Sequence, residues 1–190
     1  MTTDSIEKFI LKNEDNFRIA AAVIAVWPEV KQRIVAGFLA RLETRLKKEL
    51  KEWQFSQNSG HFFESRNGSF DFCKPAWADE YSLGLQAEGH GSQMVFGVWR
   101  RHDIDRIRKR AFSNELLGAI VKNYPTAKLA GEWWEARVFM QSPASDWRNL
   151  DVLWQIKTDS KFLDDVARQL LEMAEISEPI IDRLVQKHKK

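Results

Sequence analysis

Cysteine is almost missing from this chain: Cys73 stands alone in 190 residues. One thiol excludes an intramolecular disulfide framework and argues against a cysteine-rich zinc site, so Cys73 reads as a small buried hydrophobe in a strand. Long apolar runs are missing too. The longest, around residues 20 to 27, falls far short of the roughly 20 residues a membrane span requires, and the opening MTTDSIEKF is acidic where an export signal is apolar. These features predict a cytoplasmic protein with no membrane partner. No Gly-rich phosphate loop, GxSxG, HExxH or CxxC occurs, and His61, His90, His102 and His188 show no ligand spacing. No resident metal or cofactor is therefore expected. Nor does one sign of charge prevail. The 29 basic and 27 acidic residues leave +2, too little to indicate nucleic acid without local clustering.

What is present is a globular composition, 44% hydrophobic and 29% charged, with enough length to bury one core. Eight Trp and twelve Phe are the unusual component. Most of them should fill the space between helices and a sheet, although Trp also anchors interfaces and stacks on bases. Residues 4 to 26 read as helix, interrupted at Asn13 to Asn16. Trp27-Pro28-Glu29 then starts a new helix, with Pro28 in the first turn where its missing N–H is harmless. Val30, Ile34, Phe38, Leu42, Leu46, Leu50 and Trp53 continue it at helical spacing to residue 53. Helix 28–53 is long enough to serve self-association as a homodimer.

Turn sequences QNSG and RNGS bracket HFFES, and FDFC follows with strand character. YSLGLQAE and QMVFGVWR around GHGS form the clearest hairpin, in which Leu85 faces Phe96, Leu83 faces Val98 and Gly84 faces Gly97. Two opposed glycines bare one patch of sheet, with Ser82, Val95 and Trp99 at its rim, and something must lie close to that backbone. Either a helix of the same chain covers it, or it is a groove in which Trp99 meets a partner. EWWEARVFMQ reads as a further strand with Trp134, Ala136, Val138 and Met140 on one side. DSKFLDDVARQLLEMAEI reads as a helix, and a last one begins near Ser177 with Pro179 in its first turn. The expected fold is α+β: an antiparallel sheet of four or five short strands within 61–100 and 133–140, packed by a long N-terminal helix, a central helix and C-terminal helices. A single domain covers 1–190, with 1–53 a helical segment packed on or extending from a core at 54–190.

Two segments carry candidate chemistry. RRHDIDRIRKR, residues 100 to 110, sets six basic residues against two Asp. It is either a solvated helix face or a partner-binding face, beside Trp99, made of Arg100, Arg101, Arg106, Lys109 and Arg110 with Gly84 and Gly97 nearby. In NLDVLWQIKTD, a strand would align Asp151, Gln155 and Lys157. With Asp146 or Asp151 as the leading acid, this is the layout of a metal nuclease in which carboxylates hold Mg²⁺ and the Lys assists attack on phosphate. Gln155 stands where that site needs an acid. The alternative is a helix with Trp147, Leu150, Leu153 and Trp154 inward.

The succession FDFCKPAW, YSLGLQAEGHGSQMVFGVWR, EWWEARVF, DWRNLDVLWQIKTD and FLDDVARQLLEMAEIS resembles the region that follows the catalytic core in some PD-(D/E)XK-superfamily proteins of bacteria and phages. It covers roughly residues 28 to 188 and rests on layout and Trp placement. In that family the catalytic core lies upstream, where this chain has only helical sequence. The resemblance therefore implies a separate copy of an accessory module and carries over no catalytic residue. The leading expectation is a non-catalytic bacterial or phage protein that binds a protein or nucleic acid through the basic and aromatic face. The alternatives are a degenerate or active Mg²⁺-dependent nuclease using Asp146, Asp151, Gln155 and Lys157, and a regulatory or immunity-type inhibitor.

Overall fold

The computed structural model describes residues 3–57, 62, 67–78, 80–101, 111–141 and 144–188. Six strands form one antiparallel sheet in the order β1-β2-β3-β4-β6-β5. They are β1 (Gln54–Gln57), β2 (Asn67–Cys73), β3 (Tyr81–Glu88), β4 (Gln93–Arg100), β5 (Lys128–Ala130) and β6 (Trp134–Phe139). The fold is α+β, and two of the six short strands are ones the periodicity does not reveal. Both extras, β1 and β5, are edge strands of four and three residues that bury little. Short edges of this kind limit pairing with another sheet, and they leave no alternation long enough to read. Of HFFES, only Phe62 is described, as a buried turn residue.

The β3/β4 hairpin has the expected register: Leu85 faces Phe96, Leu83 faces Val98 and Gly84 faces Gly97. Its loop turns through three successive positive φ values, at Gly89, His90 and Gly91. His90 thus shapes the turn. Side chains alternate across the sheet. Phe70, Phe72, Leu83, Leu85, Phe96, Val98, Ala136 and Val138 all belong to one core cluster, with residues of the helices on that face. At the centre Trp147 packs edge-on to Phe38 at 5.2 Å and stacks on Phe62 at 5.5 Å.

The helices are α1 (Thr3–Ile10), α2 (Glu14–Leu46), α3 (Asn114–Asn123), α4 (Leu150–Thr158) and α5 (Ser160–His188). Asn13 caps α2 by accepting from Asn16 N, which explains the interruption after α1. Pro28 does not start a helix. It lies inside α2, and Pro179 likewise lies inside α5, which is one continuous helix. Each proline removes a single backbone bond, to the carbonyl four residues earlier, and long helices on both sides carry the chain across. Helix α2 stops at Leu46, and the chain reaches Trp53 through turn bonds from Leu50 N to Leu46 O and Trp53 N to Leu50 O. Its C-terminal half buries Val35, Phe38, Leu39, Leu42 and Leu46. Its N-terminal half buries nothing. No described helix is long and apolar enough to cross a membrane.

Residues 150–158 are helix, not strand. Asn149 Oδ1 accepts from Asp151 N and Val152 N and fixes where α4 begins. That start sets the phase, so Val152, Leu153 and Ile156 point inward while Leu150 and Trp154 are 63% and 62% exposed. The inward stripe expected of Leu150 and Trp154 is thereby corrected.

Candidate functional site

Opposite the core, the sheet presents Ser69, Asp71, Gln86, Glu88 and Trp99, by the same alternation that sends Phe70, Leu85 and Val98 inward. A register shift between β4 and β6 at Val98/Trp99 sets Trp134 against Trp99. The expected inward side of β6 thereby loses Trp134, which joins Trp99 edge-to-face with centroids 5.0 Å apart. Trp133 stands at the mouth, 46% exposed. Together with Arg100 and Arg101 these residues line a cleft of about 450 Å³.

Gly84, paired with Gly97, lies beneath the Trp99 side chain. A Cβ on Gly84 would sit 2.2 Å from Phe70 O and 2.9 Å from Trp99 Cη2, so the indole lies across the bared backbone. Trp99 itself, from the same hairpin, fills part of the gap the glycines open.

Cations at the cleft pair with carboxylates. Arg101 Nη2 binds Asp71 Oδ2 at 2.8 Å, and its Nη1 donates to Cys73 Sγ at 3.3 Å. Arg137 Nη1 binds Glu88 Oε1 at 2.6 Å. Deeper still, Arg100 Nε binds Glu135 Oε1 at 2.9 Å, with 2% and 0% of the two side chains exposed. The Arg100 guanidinium stacks 3.8 Å above the Phe112 ring, and Glu135 Oε2 accepts from Ser113 N. Ser113 is the cap of α3, so one buried carboxylate ties β4, β6 and the start of that helix together.

Burial pushes the Asp71 carboxyl up from its ordinary 3.8, and the Arg101 charge offsets this only in part. Burial likewise raises the Cys73 thiol, again against the pull of Arg101, which makes it a poor nucleophile. Below 3.8 the Asp71 carboxyl is neutral whether the chain is folded or not, and as pH rises through the higher folded value the folded state loses stability relative to the unfolded one. An NMR titration of the Asp71 carboxyl should show a midpoint above 3.8, and Arg101→Gln should raise it further. A midpoint unmoved by that substitution would contradict the pairing.

Of the residues singled out in the sequence, Trp99, Arg100, Arg101, Gly84 and Gly97 do come together. Arg106, Lys109 and Arg110 lie outside the described residues. Trp133, Trp134, Asp71, Gln86 and Glu88 were missed, although the hairpin register already put Gln86 and Glu88 on the side of Gly84, and the Trp133-Trp134 pair marks the strand opposite. The nuclease set does not line this cleft. Asp146 is held by Arg148, whose hydrogen bond to its carboxylate keeps it below the ordinary value. Asp151 is exposed in the first turn of α4, and Lys157 lies over the Trp154 ring at 5.1 Å. At 100° per residue a helix turns Lys157 roughly 160° from Gln155, where a strand would have aligned them. Among the described residues no group of three or more His, Cys, Asp or Glu is placed to hold a metal.

No family model, curated protein or solved structure matches the chain.

Proposed function

We propose that this chain is a non-catalytic binding protein whose cleft between Trp99, Trp133 and Trp134 receives a side chain of a protein partner. The observation that carries the reading is the half-exposed Trp133 beside a preformed wall of two crossed indoles. Tryptophan at the mouth of a rigid, largely desolvated pocket is the usual chemistry of a binding hot spot. A guest with an apolar body would lie against the indoles while Ser69 and Gln86 offer hydrogen bonds. Nucleic acid is the less favoured guest. Its affinity comes largely from free cations that release counterions from phosphate, and the two cations of the basic segment among the described residues, Arg100 and Arg101, are engaged by Glu135 and Asp71. The helical conformation of 150–158 removes the strand geometry on which the nuclease alternative depended. A regulatory or immunity-type inhibitor would be one form of the proposed role.

Peptides selected on the wild-type chain from a random displayed library should lose about 2 kcal/mol, roughly thirtyfold in affinity, on Trp133→Ala. Peptides that bind the variant equally well would place the contact elsewhere. Saturable binding of a single-stranded oligonucleotide that falls steeply with salt and is lost in Trp133→Ala would assign the cleft to nucleic acid instead.

A further inference from the structure

The N-terminal arm exposes a long run of apolar side chains. No residue of α1 is buried, and α2 buries nothing before Val35. Phe17, Ile19, Val23, Ile24, Val26 and Trp27 are between 36% and 72% exposed. At 100° per residue these six cover about half the circumference of α2, and alanines 21, 22 and 25 fill most of the rest. Apolar patches beyond a few hundred Å² on a monomer mark a surface that is covered in use. The same side continues into a groove of about 480 Å³ lined by Val30, Arg33, Ile34, Gly37, Arg41 and Lys157. Nothing lies within 4 Å of where a Gly37 Cβ would be, so the floor is open. The groove lining holds three basic residues and no acid.

We infer that a second copy of this chain covers the arm, the two α2 helices pairing antiparallel along the seam formed by Ile19, Val23, Val26 and Val30. The spacing is self-complementary. Antiparallel pairing sets Ile19 of one copy against Val30 of the other and Val23 against Val26. It also brings Asp15, on the flank of the seam, beside Arg33 on the same flank of the other copy, and delivers the acidic start of α2, Glu14-Asp15, to the basic groove. A parallel pair would leave both acidic starts at one end and both grooves at the other. Of the segment 28–53 that the sequence offered for self-association, α2 buries Val35, Phe38, Leu39, Leu42 and Leu46 in the chain's own core, so the apolar seam lies upstream of Val35. This pairing is independent of the tryptophan cleft.

Sedimentation velocity and light scattering test the inference. The wild-type chain at about 100 µM should run at twice the 22.2 kDa mass of one chain. Val23→Glu, at a half-exposed position, should raise the dissociation constant about a hundredfold, because two carboxylates then face an apolar seam. Its circular dichroism and denaturation midpoint at low concentration should match the wild type. Asp15→Arg and Arg33→Asp should each weaken the dimer about tenfold, and the two together should restore it. A wild-type monomer at this concentration, a dimer insensitive to Val23→Glu, or a double variant no tighter than the single ones would overturn the inference. A monomer that binds phosphatidylglycerol vesicles would overturn it in favour of a membrane surface.

Discussion

Glu135→Ala should cost about 3–5 kcal/mol of folding stability, the loss expected when one partner of a buried ion pair is removed. The Arg100 side chain is 2% exposed and the Glu135 side chain 0%. Desolvation of the guanidinium is compensated by a carboxylate 2.9 Å away, and alanine withdraws that compensation while leaving the cation between strands. The same substitution takes the acceptor from Ser113 N, at the cap of α3. Two effects therefore add, against a total stability of about 5–15 kcal/mol for a typical domain. Glu135→Gln keeps an oxygen for one donor and gives up the charge, so its cost should be smaller, about 1–3 kcal/mol. Urea denaturation checks both, and a shifted midpoint with an unchanged slope is the expected form. Equal costs for the two variants would mean that charge at Glu135 is unimportant.

Gly97→Ala should be nearly as damaging, at about 3 kcal/mol or more. Gly97 has φ of 151°, and a Cβ there would lie 2.1 Å from Ala136 O on the neighbouring strand. That atom is backbone in a hydrogen-bonded ladder and cannot swing aside. Either β4 leaves β6 or the bulge that carries Trp134 is lost. Gly118→Ala is the matched control. Nothing lies within 4 Å of its added Cβ, inside α3, so the substitution should gain about 0.5–1 kcal/mol from helix propensity. Parallel thermal melts of the two variants, moving in opposite directions, would separate steric demand at Gly97 from a general preference for alanine.

Parts of the molecule were legible because they are local. The hairpin register follows from a glycine-rich loop between two alternating runs, and it alone brought Gly84 opposite Gly97 and Trp99 near both. The interruption at Asn13 was legible because the cap that makes it is a bond within three residues. The prolines misled because a break is only one response to a missing N–H. Pro28 and Pro179 sit in helices whose flanking turns hold them in line. Trp154 misled because four candidate residues fit two helical phases, and the Asn149 cap chose the one that leaves its ring outside. The pairing of Arg101 with Asp71 and of Arg100 with Glu135 was not legible at all. Both join residues about 30 positions apart through sheet registry, and they give the first two cations of the basic run, Arg100 and Arg101, carboxylate partners. Trp134 reached the cleft through a one-residue register shift, which period-two reasoning cannot foresee.

The proposed role requires that Trp99, Trp133 and Trp134 receive a partner. Fluorine NMR of 5-fluorotryptophan-labelled protein, with the library-selected peptides as probes, tests this most directly, because each of the eight Trp reports separately. The predicted result is saturable movement of the Trp99, Trp133 and Trp134 resonances while the fully buried Trp77 and Trp147 stay in place. Movement confined to Trp27 or Trp154, with the three cleft residues silent, would contradict it.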